Sequence, residues 1–423
     1  MNRYSMMRPT TALSALLLAG TALLTACARG PAPEAAPDWT GSYRATLQLP
    51  GGELPFGLTI RRDGERLTAE IRNGEEKLQV DEVSVADGQI HLALPGFENT
   101  LTARRENGEL KGELFFVKAR GRNQHIPFTA EPGEPRFFAT PAAPGGDVSG
   151  RWAVTFTGDS GDTSIAVGEF RQQGSDVTGT FLTPTGDFRY LTGELREGQL
   201  YLGTFNGGQA FLFHAALSPD GNALDGEFWS GLASHQRFAA HRDASASLGD
   251  TTQKTALRQP AERFNFTFPD LDGHPVSLTD PRFAGKVVVV TLAGSWCPNC
   301  HDEADFLVPY YRAHRDAGLE VIGLMFEQFD SEPEARAAVA RFRDRKAVPY
   351  ALLIAGISPT DDAATKLPQL NGVFAYPTTL FIDRKGKVRH IHTGFSGPAT
   401  GEHYTALTQD FDQRISALLA EAP

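Results

Sequence analysis

The chain has 423 residues, of which 41% are hydrophobic and 22% are charged, a composition that predicts a folded protein of two or three domains. Its 40 basic and 51 acidic residues give a formal charge of -11, which argues against a protein that binds nucleic acid through a basic face. Three cysteines are too few for a disulfide-rich scaffold, and the odd number leaves at least one of them without an intramolecular partner.

Residues 1–26 have the pattern of an export signal. Arg3 and Arg8 precede an uncharged apolar run over residues 11–26, which is shorter than the ~20 residues that a membrane-spanning helix needs. The run ends in a Leu-Thr-Ala-Cys sequence at Cys27, which resembles the lipobox of bacterial lipoproteins, where the cysteine is acylated. We therefore expect Cys27 to carry lipid and to have no redox role. The alternative is an ordinary signal peptide with an incidental cysteine.

The segment after the signal predicts attachment to a membrane surface. Removal of residues 1–26 deletes two basic residues and no acidic one, so 38 basic and 51 acidic residues remain and the formal charge becomes -13. Ala28, not an aspartate, follows the cysteine, which by analogy with enterobacterial lipoproteins favours the outer membrane. Residues 27–38 are rich in proline and alanine and predict a tether that holds the folded part away from the bilayer.

Two related β-rich repeats follow, at residues 39–132 and 148–243, with a Pro/Gly-rich linker at residues 133–147. In the first repeat, Asp-Gly and Asn-Gly pairs typical of hairpin turns separate short alternating runs, which lie at residues 58–60, 67–71, 90–94 and 110–116. The sequence Gly-Gln-Ile-His-Leu at 88–92 returns as Gly-Gln-Leu-Tyr-Leu at 198–202. Each repeat has room for about eight strands, so we predict two antiparallel barrels or sandwiches.

Neither repeat contains a recognisable catalytic or metal-binding constellation. The scattered histidines have no cysteine or carboxylate at metal-ligand spacing, so no metal site is predicted; they are His125, His214, His235 and His241. Aromatic side chains of the second repeat either fill a core or line a ligand cavity, and core packing is the more common role. They are Trp152, Phe156, Phe181, Tyr201, Phe211, Phe213 and Trp229.

After a polar connector at residues 244–260, residues 261–423 predict an α/β domain. The run Val-Val-Val-Val-Thr-Leu at 287–292 is typical of a strand buried on both faces. Further strands are predicted at residues 319–326, 349–354, 378–383 and 388–391, and helices at 302–317, 333–345 and 402–419. The predicted fold class is therefore multidomain, with two all-β repeats before an α/β domain.

Cys297 and Cys300 have the spacing of a redox pair. A cysteine in the first turn of a helix lies in the field of unpaired N–H groups, which lowers the pKa of its thiol from about 8.5. Two intervening residues allow the second thiol to reach a mixed disulfide formed on the first. Cys297 is therefore the predicted nucleophile, and Cys300 the predicted resolving thiol.

Four motifs of this domain resemble the thioredoxin superfamily, and within it the TlpA/ResA-like thiol-disulfide oxidoreductases. They are Phe-Pro-Asp-Leu-Asp-Gly-His-Pro-Val-Ser-Leu at 268–278, Trp-Cys-Pro-Asn-Cys at 296–300, Tyr-Pro-Thr-Thr at 376–379 and Phe-Ile-Asp-Arg-Lys-Gly at 381–386. The resemblance covers residues 264–419. It implies a thioredoxin-like fold and thiol-disulfide exchange without a bound cofactor.

The resemblance also implies roles for residues around the pair. Thioredoxins carry an aspartate six residues before the first cysteine, where this chain has Thr291. TlpA/ResA-like proteins have an acid three residues after the second cysteine, which here is Glu303; we expect it to act as general acid and base for Cys300, the alternative being a solvated helix carboxylate. Pro377 falls at the family's cis-proline position, and it is expected to contact substrate together with Trp296 and Tyr376.

Other interpretations of the motif remain. Cys-Pro-Asn-Cys followed by His301 is also the attachment signature of c-type haem, although it follows a buried β-run and the one methionine beyond the signal, Met325, falls in a predicted strand. Zinc is disfavoured because Cys300 and His301 are adjacent and point about 100° apart on a helix. A peroxiredoxin would need a hydroxyl at Gly294. A non-enzymatic scaffold that binds a partner through the β repeats is the remaining alternative.

We therefore expect a lipid-anchored thiol-disulfide oxidoreductase on the periplasmic face of a bacterial membrane. Most relatives of this kind act as reductases, so reduction of protein cysteine pairs is the favoured direction, with electrons supplied by a membrane thiol carrier. The expected partners are protein thiols and disulfides and, through the anchor, the membrane, but not nucleic acid. The sequence indicates no role for the two β repeats.

Overall fold

The computed structural model describes residues 38–249, 254–259 and 263–422. The predicted signal 1–26, Cys27 and nearly all of the tether 27–38 lie outside these residues, as do parts of the connector 244–260. Within the three described ranges, no helix is both long and apolar enough to cross a membrane. The chain from Trp39 onward forms one compact unit.

The first β repeat is a closed barrel of eight antiparallel strands in meander order. The barrel closes where β1 pairs with β8, with Tyr43 opposite Pro132 and Leu47 opposite Phe128. The Asp87-Gly88 and Asn107-Gly108 turns have positive φ at both residues, as type I′ hairpins require. The strands are β1 Gly41–Leu49, β2 Gly52–Asp63, β3 Arg66–Asn73, β4 Glu76–Ala86, β5 Gln89–Leu94, β6 Asn99–Glu106, β7 Glu109–Phe116 and β8 Gln124–Pro132.

The second repeat also closes into a ring of eight strands, with the two-residue strand β12 added beside β11. Its core is filled largely by phenylalanine rings and Trp152. The two barrels touch, and the rings of Phe56 and Phe205 lie 4.6 Å apart between centroids. The strands are β9 Gly150–Gly158, β10 Thr163–Gln173, β11 Asp176–Thr183, β12 Gly186–Asp187, β13 Leu191–Arg196, β14 Gln199–Phe205, β15 Ala210–Leu217, β16 Ala223–Ser230 and β17 Ser234–Arg242.

The C-terminal domain contains a five-stranded sheet in the order β22-β21-β20-β23-β24. The central strand β20 is buried along its whole length, as its β-branched run predicts. The strands are β18 Thr267–Pro269, β19 Pro275–Ser277, β20 Val287–Ala293, β21 Leu319–Glu327, β22 Ala351–Ile357, β23 Thr378–Ile382 and β24 Val388–Thr393. The α-helices are α1 Pro298–His314, α2 Glu332–Lys346, α3 Thr360–Lys366 and α4 Glu402–Ala420.

Helix α1 differs from its sequence-based bounds. It begins at Pro298, four residues before the predicted start at residue 302, because proline is compatible with the first helical position, where no intrahelical N–H bond is needed. It ends at His314, and a 3₁₀ turn, Arg315–Ala317, completes the predicted stretch. The short helix α3 was not predicted. The earlier start of α1 matters because it puts Cys297 at the N-cap.

Candidate active site

The predicted redox pair lies at the junction of β20 and α1. Cys297 is the N-cap residue of α1, and the Cys300 backbone N–H donates to its Sγ at 3.2 Å. The two cysteines form a disulfide, with their Cα atoms 5.2 Å apart. Unpaired N–H groups at a helix N-terminus stabilise negative charge, so the same contact favours a thiolate on Cys297 once the disulfide is reduced.

The loops beside the disulfide bring the three expected substrate-contact residues together. The bond between Tyr376 and Pro377 is cis, as predicted. The Tyr376 carbonyl oxygen lies 3.4 Å from Cys297 Sγ. Trp296 packs edge-on against the Tyr376 ring, and its indole N–H donates to the Phe326 carbonyl at 2.8 Å. These contacts place the cis-proline loop beside Cys297.

Glu303 is buried on α1, three residues after Cys300. Its side chain is on α1, and its two carboxylate oxygens accept hydrogen bonds from the hydroxyls of Thr291 on β20 and Thr379 on β23. The residue is only 1% exposed, so the alternative of a solvated carboxylate is wrong. Burial raises the pKa of Glu303 to about 7, although the two threonine donors oppose the shift. A carboxyl group with this pKa can accept and release a proton near neutral pH.

A second buried carboxylate, Glu327, supports the loop before the pair. It is the last residue of β21, and its two oxygens accept hydrogen bonds from the Ser295 N–H at 2.9 Å and the Ser295 hydroxyl at 2.6 Å. Burial raises the pKa of Glu327 to about 7. The sequence interpretation missed this residue. The parallel pairing of β20 with β21 is the signal that could have found it, because the carboxyl ends of both strands meet beside the active site.

His301 has a structural role. Its Nε2–H donates to the Ser295 carbonyl at 2.6 Å, and its ring packs between Phe97 of the first barrel and Phe342 of α2. Burial lowers the pKa of His301 to about 3, which keeps the ring neutral. The nitrogen that would ligate a haem iron is therefore engaged within the protein, and this geometry does not fit the C-x-x-C-H interpretation.

Both barrels extend to the redox pair. Cys297 lines a cavity of about 280 Å³ that also includes Lys118 of the first barrel and Phe211 of the second. We call it the redox cavity. The Lys118 ammonium lies 3.8 Å from the centroid of the Phe116 ring, and burial lowers the pKa of Lys118 to about 8. At neutral pH this lysine therefore remains largely protonated, which places a cation in the cavity that Cys297 lines.

The β11–β13 segment of the second barrel is anchored to the start of α1. Asp187 accepts hydrogen bonds from the Gly397 N–H at 2.7 Å, the Arg189 N–H at 2.8 Å and the Asn299 side-chain amide at 3.1 Å. Burial raises the pKa of Asp187 to about 6. A Cβ on Gly186 would lie 2.9 Å from the Asn299 amide nitrogen, so the close approach requires glycine there.

Arg189 connects all three folded parts. Its guanidinium pairs with Asp302 on α1 and with Glu76 on the first barrel, and it donates to the Pro298 carbonyl at 3.2 Å. All three charged side chains are nearly buried. The sequence interpretation found no functional residues in the barrels and missed Lys118, Asp187 and Arg189. No local pattern marks them, because the Arg189 and Asp302 positions are 113 residues apart in sequence.

Comparisons with known proteins concern the C-terminal domain. Residues 259–407 match the Redoxin family. The thiol-disulfide oxidoreductase ResA of Geobacillus thermodenitrificans is 30% identical over 155 residues, which are 35% of this chain and 80% of that protein. The thiol:disulfide interchange protein DsbE of Allochromatium vinosum is 33% identical over 129 residues, which are 30% of this chain and 63% of that protein.

Part of this chain is also similar to solved structures. A thiol:disulfide interchange protein of the thioredoxin family from Chlorobium tepidum is 20% identical, covers 39% of this chain and 100% of its own, and has a TM-score of 0.29. The Redoxin match begins at residue 259 and so includes neither barrel.

Proposed function

Because the chain belongs, through its C-terminal domain, to the ResA-like thiol-disulfide oxidoreductases of the thioredoxin superfamily, we propose that Cys297 and Cys300 exchange electrons with cysteine pairs of other proteins. The observation that carries this proposal is the position of Cys297 at the N-cap of α1, where the Cys300 N–H contacts its sulfur. That geometry activates one thiol and keeps the second within reach of it.

In the favoured direction the reduced pair attacks a substrate disulfide. The Cys297 thiolate bonds to one substrate sulfur, and the other substrate sulfur leaves with the electron pair of the broken bond and takes up a proton. The Cys300 thiolate then attacks Cys297 Sγ, which releases the second substrate thiolate and forms the Cys297–Cys300 disulfide. The substrate gains two electrons and two protons, and the enzyme pair is oxidised.

Glu303 is the proposed proton acceptor for Cys300. Its burial beside Thr291 and Thr379 and its pKa of about 7 support a group that is partly protonated at neutral pH. The thiol of Cys300 must lose its proton before it can resolve the mixed disulfide, and a nearby carboxylate with a raised pKa is a stronger base than an exposed one. Glu303 therefore acts in the second step, and Cys297 in the first.

The proposed location is the periplasmic face of a bacterial membrane. The export signal at residues 1–26 and the lipobox cysteine Cys27 support a lipid anchor, and Ala28 favours the outer membrane. In this compartment a reductase needs a supply of electrons, for which a membrane thiol carrier is the proposed source. Protein disulfides are the proposed substrates.

Equilibration with glutathione tests the function and its direction together. We expect the purified mature chain to reduce a protein disulfide in the presence of a dithiol, and a Cys297→Ser variant to lose this turnover. The expected potential of the pair is below that of glutathione, and a value well above it would contradict the reductase direction. Cys27→Ser is the matched control, because it removes the third cysteine and should leave the potential unchanged.

A further inference from the structure

The second barrel has an open end that holds a cavity of about 540 Å³. Four aromatic rings form its apolar floor; they are Phe156, Phe188, Phe211 and Phe228. Ile165 lies at its rim and is 48% exposed, a large fraction for an aliphatic side chain. We call this the phenyl cavity. An exposed apolar surface beside a reactive group is a common feature of binding sites.

The phenyl cavity adjoins the redox cavity. Thr183, Thr185, Phe188, Phe211 and Ser230 line both of them. Cys297 lines the redox cavity at the other side of this shared wall. A molecule whose sulfur reacts at Cys297 can therefore place a neighbouring group against the phenylalanine rings while it stays bound to the protein.

The position of the phenyl cavity relative to the nucleophile is fixed. The segment that carries Phe188 is anchored to α1 through Asp187, which accepts from Asn299, and through Arg189, which pairs with Asp302. These partners are buried, so the anchoring is shielded from solvent. The two cavities thus form one preorganised site that is built by two domains.

The shape of this site restricts its substrates. Cys297 is only 4% exposed and lines a cavity, which favours a flexible segment that can enter the cavity over a cysteine held on a rigid surface. A single extended strand can enter, and in such a strand side chains two residues apart point to the same side. The rim around the apolar floor carries hydroxyl and amide groups, which suit the polar main chain of a peptide; they include Thr163, Ser164, Ser234 and Gln236.

We propose that the phenyl cavity binds a bulky apolar side chain of an extended peptide segment whose cysteine reacts at Cys297. The inference rests on the proposed function and specifies its substrate class: unfolded or flexible segments in which an aromatic or large aliphatic residue lies near the cysteine. The second barrel thereby acts as the specificity element of the oxidoreductase.

A trapping experiment tests this inference. A reduced Cys300→Ser variant is mixed with short peptides whose single cysteine is in a disulfide with 2-mercaptoethanol. Cys297 attacks the peptide sulfur, a Cys297–peptide disulfide forms, and the 2-mercaptoethanol thiolate leaves with the electron pair and takes a proton from water. The residue two positions from the cysteine is phenylalanine, leucine or alanine. The rate of adduct formation is followed by intact mass.

We expect the phenylalanine and leucine peptides to react at least tenfold faster than the alanine peptide at subsaturating concentration. Ile165→Asp, which places a charge at the cavity rim, should reduce this ratio to about two or less. Val85→Asp is the matched control, because Val85 is 46% exposed on the first barrel and lines neither cavity, and it should leave the ratio unchanged.

Two further substrates distinguish a failure of this inference from a failure of the proposed function. Bis(2-hydroxyethyl) disulfide has no apolar group and reports the proposed function alone. If it forms an adduct but the peptides show no preference, the inference is wrong and the proposed function stands. If neither it nor any peptide forms an adduct, both are wrong. If a 2-phenylethyl disulfide reacts as fast as the phenylalanine peptide, the cavity serves small molecules and the peptide assignment is overturned.

Discussion

Arg189 of the second barrel forms a buried ion pair with Asp302, two residues after Cys300 on α1. The same guanidinium pairs with Glu76 of the first barrel, so one side chain bridges carboxyl groups from two other parts of the fold. This arrangement makes the barrels a structural component of the redox site. Its loss would leave two buried charges without a partner, which is costly.

Replacement of Arg189 therefore has a large expected effect on stability. We expect Arg189→Met to lower the free energy of unfolding by about 3–5 kcal/mol, because Asp302 and Glu76 lose their counter-charge in a buried site. Urea unfolding of the oxidised protein measures it. Arg136→Met is the control, since Arg136 pairs with Asp176 at an exposed position and should change stability by less than about 1 kcal/mol. Equal effects of the two substitutions would contradict the proposed role of the buried pair.

Lys118 is expected to stabilise the Cys297 thiolate from the first barrel. Loss of the cation in Lys118→Met should raise the pKa of the Cys297 thiol, and the difference from wild type should fade above pH 8, where Lys118 itself deprotonates. Thiolate absorbance of the reduced protein against pH measures this pKa. Lys118→Arg should retain most of the effect, and Lys111→Met, at an exposed position on the same barrel, should change nothing. Identical titration curves for wild type and Lys118→Met would refute the role.

Glu303 should make stability depend on pH. Its pKa is raised from 4.5 to about 7 in the folded protein, so between these values the folded state keeps a proton that the unfolded state releases. Stability from this group is therefore highest below pH 4.5 and falls as the pH rises to about 7, by about 3 kcal/mol. Glu303→Gln cannot ionise and should lose less stability between pH 5 and pH 7.5 than the wild type. Unfolding curves with the same pH dependence in both proteins would show that Glu303 is not the titrating group.

Glu303→Gln should also slow the second chemical step. Without a base for Cys300, we expect the mixed disulfide on Cys297 to form at a near-normal rate and to be resolved at least tenfold more slowly at pH 7. Rapid-quench mass spectrometry separates the two steps. Glu320→Gln serves as control, because Glu320 lies on β21 at the surface, away from the pair. If the mixed disulfide formed more slowly but was resolved at the normal rate, the assignment of Glu303 to the second step would be wrong.

The parts of the site that could be predicted are those that a local sequence pattern determines. The β-branched run of β20, the hairpin turns and the Cys-x-x-Cys spacing each reflect interactions over a few residues, so the sequence indicates them directly. Glu303 was identified through the resemblance to TlpA/ResA-like proteins, but its threonine partners come from β20 and β23, and finding them required the sheet order.

The remaining site residues could not be predicted because their role depends on contacts between domains. Lys118 and Arg189 are isolated basic residues in β-rich repeats, and their sequence context is that of solvent-exposed turns. Only the packing of both barrels against α1 brings them to Cys297 and Asp302. The phenyl cavity could not be predicted either. Aromatic residues of a barrel have the same sequence pattern whether they fill its core or line its open end.

Mapping of the trapped mixed disulfide tests the central claim most directly. A reduced Cys300→Ser variant and a reduced Cys297→Ser variant are each incubated with the same disulfide peptide, digested without reduction and analysed by mass spectrometry. The account predicts a peptide bonded to Cys297 in the first variant and no comparable adduct in the second, because the Cys297 sulfur is at the helix N-cap and lines the redox cavity. An adduct on Cys300 that forms as fast as the one on Cys297 would contradict it.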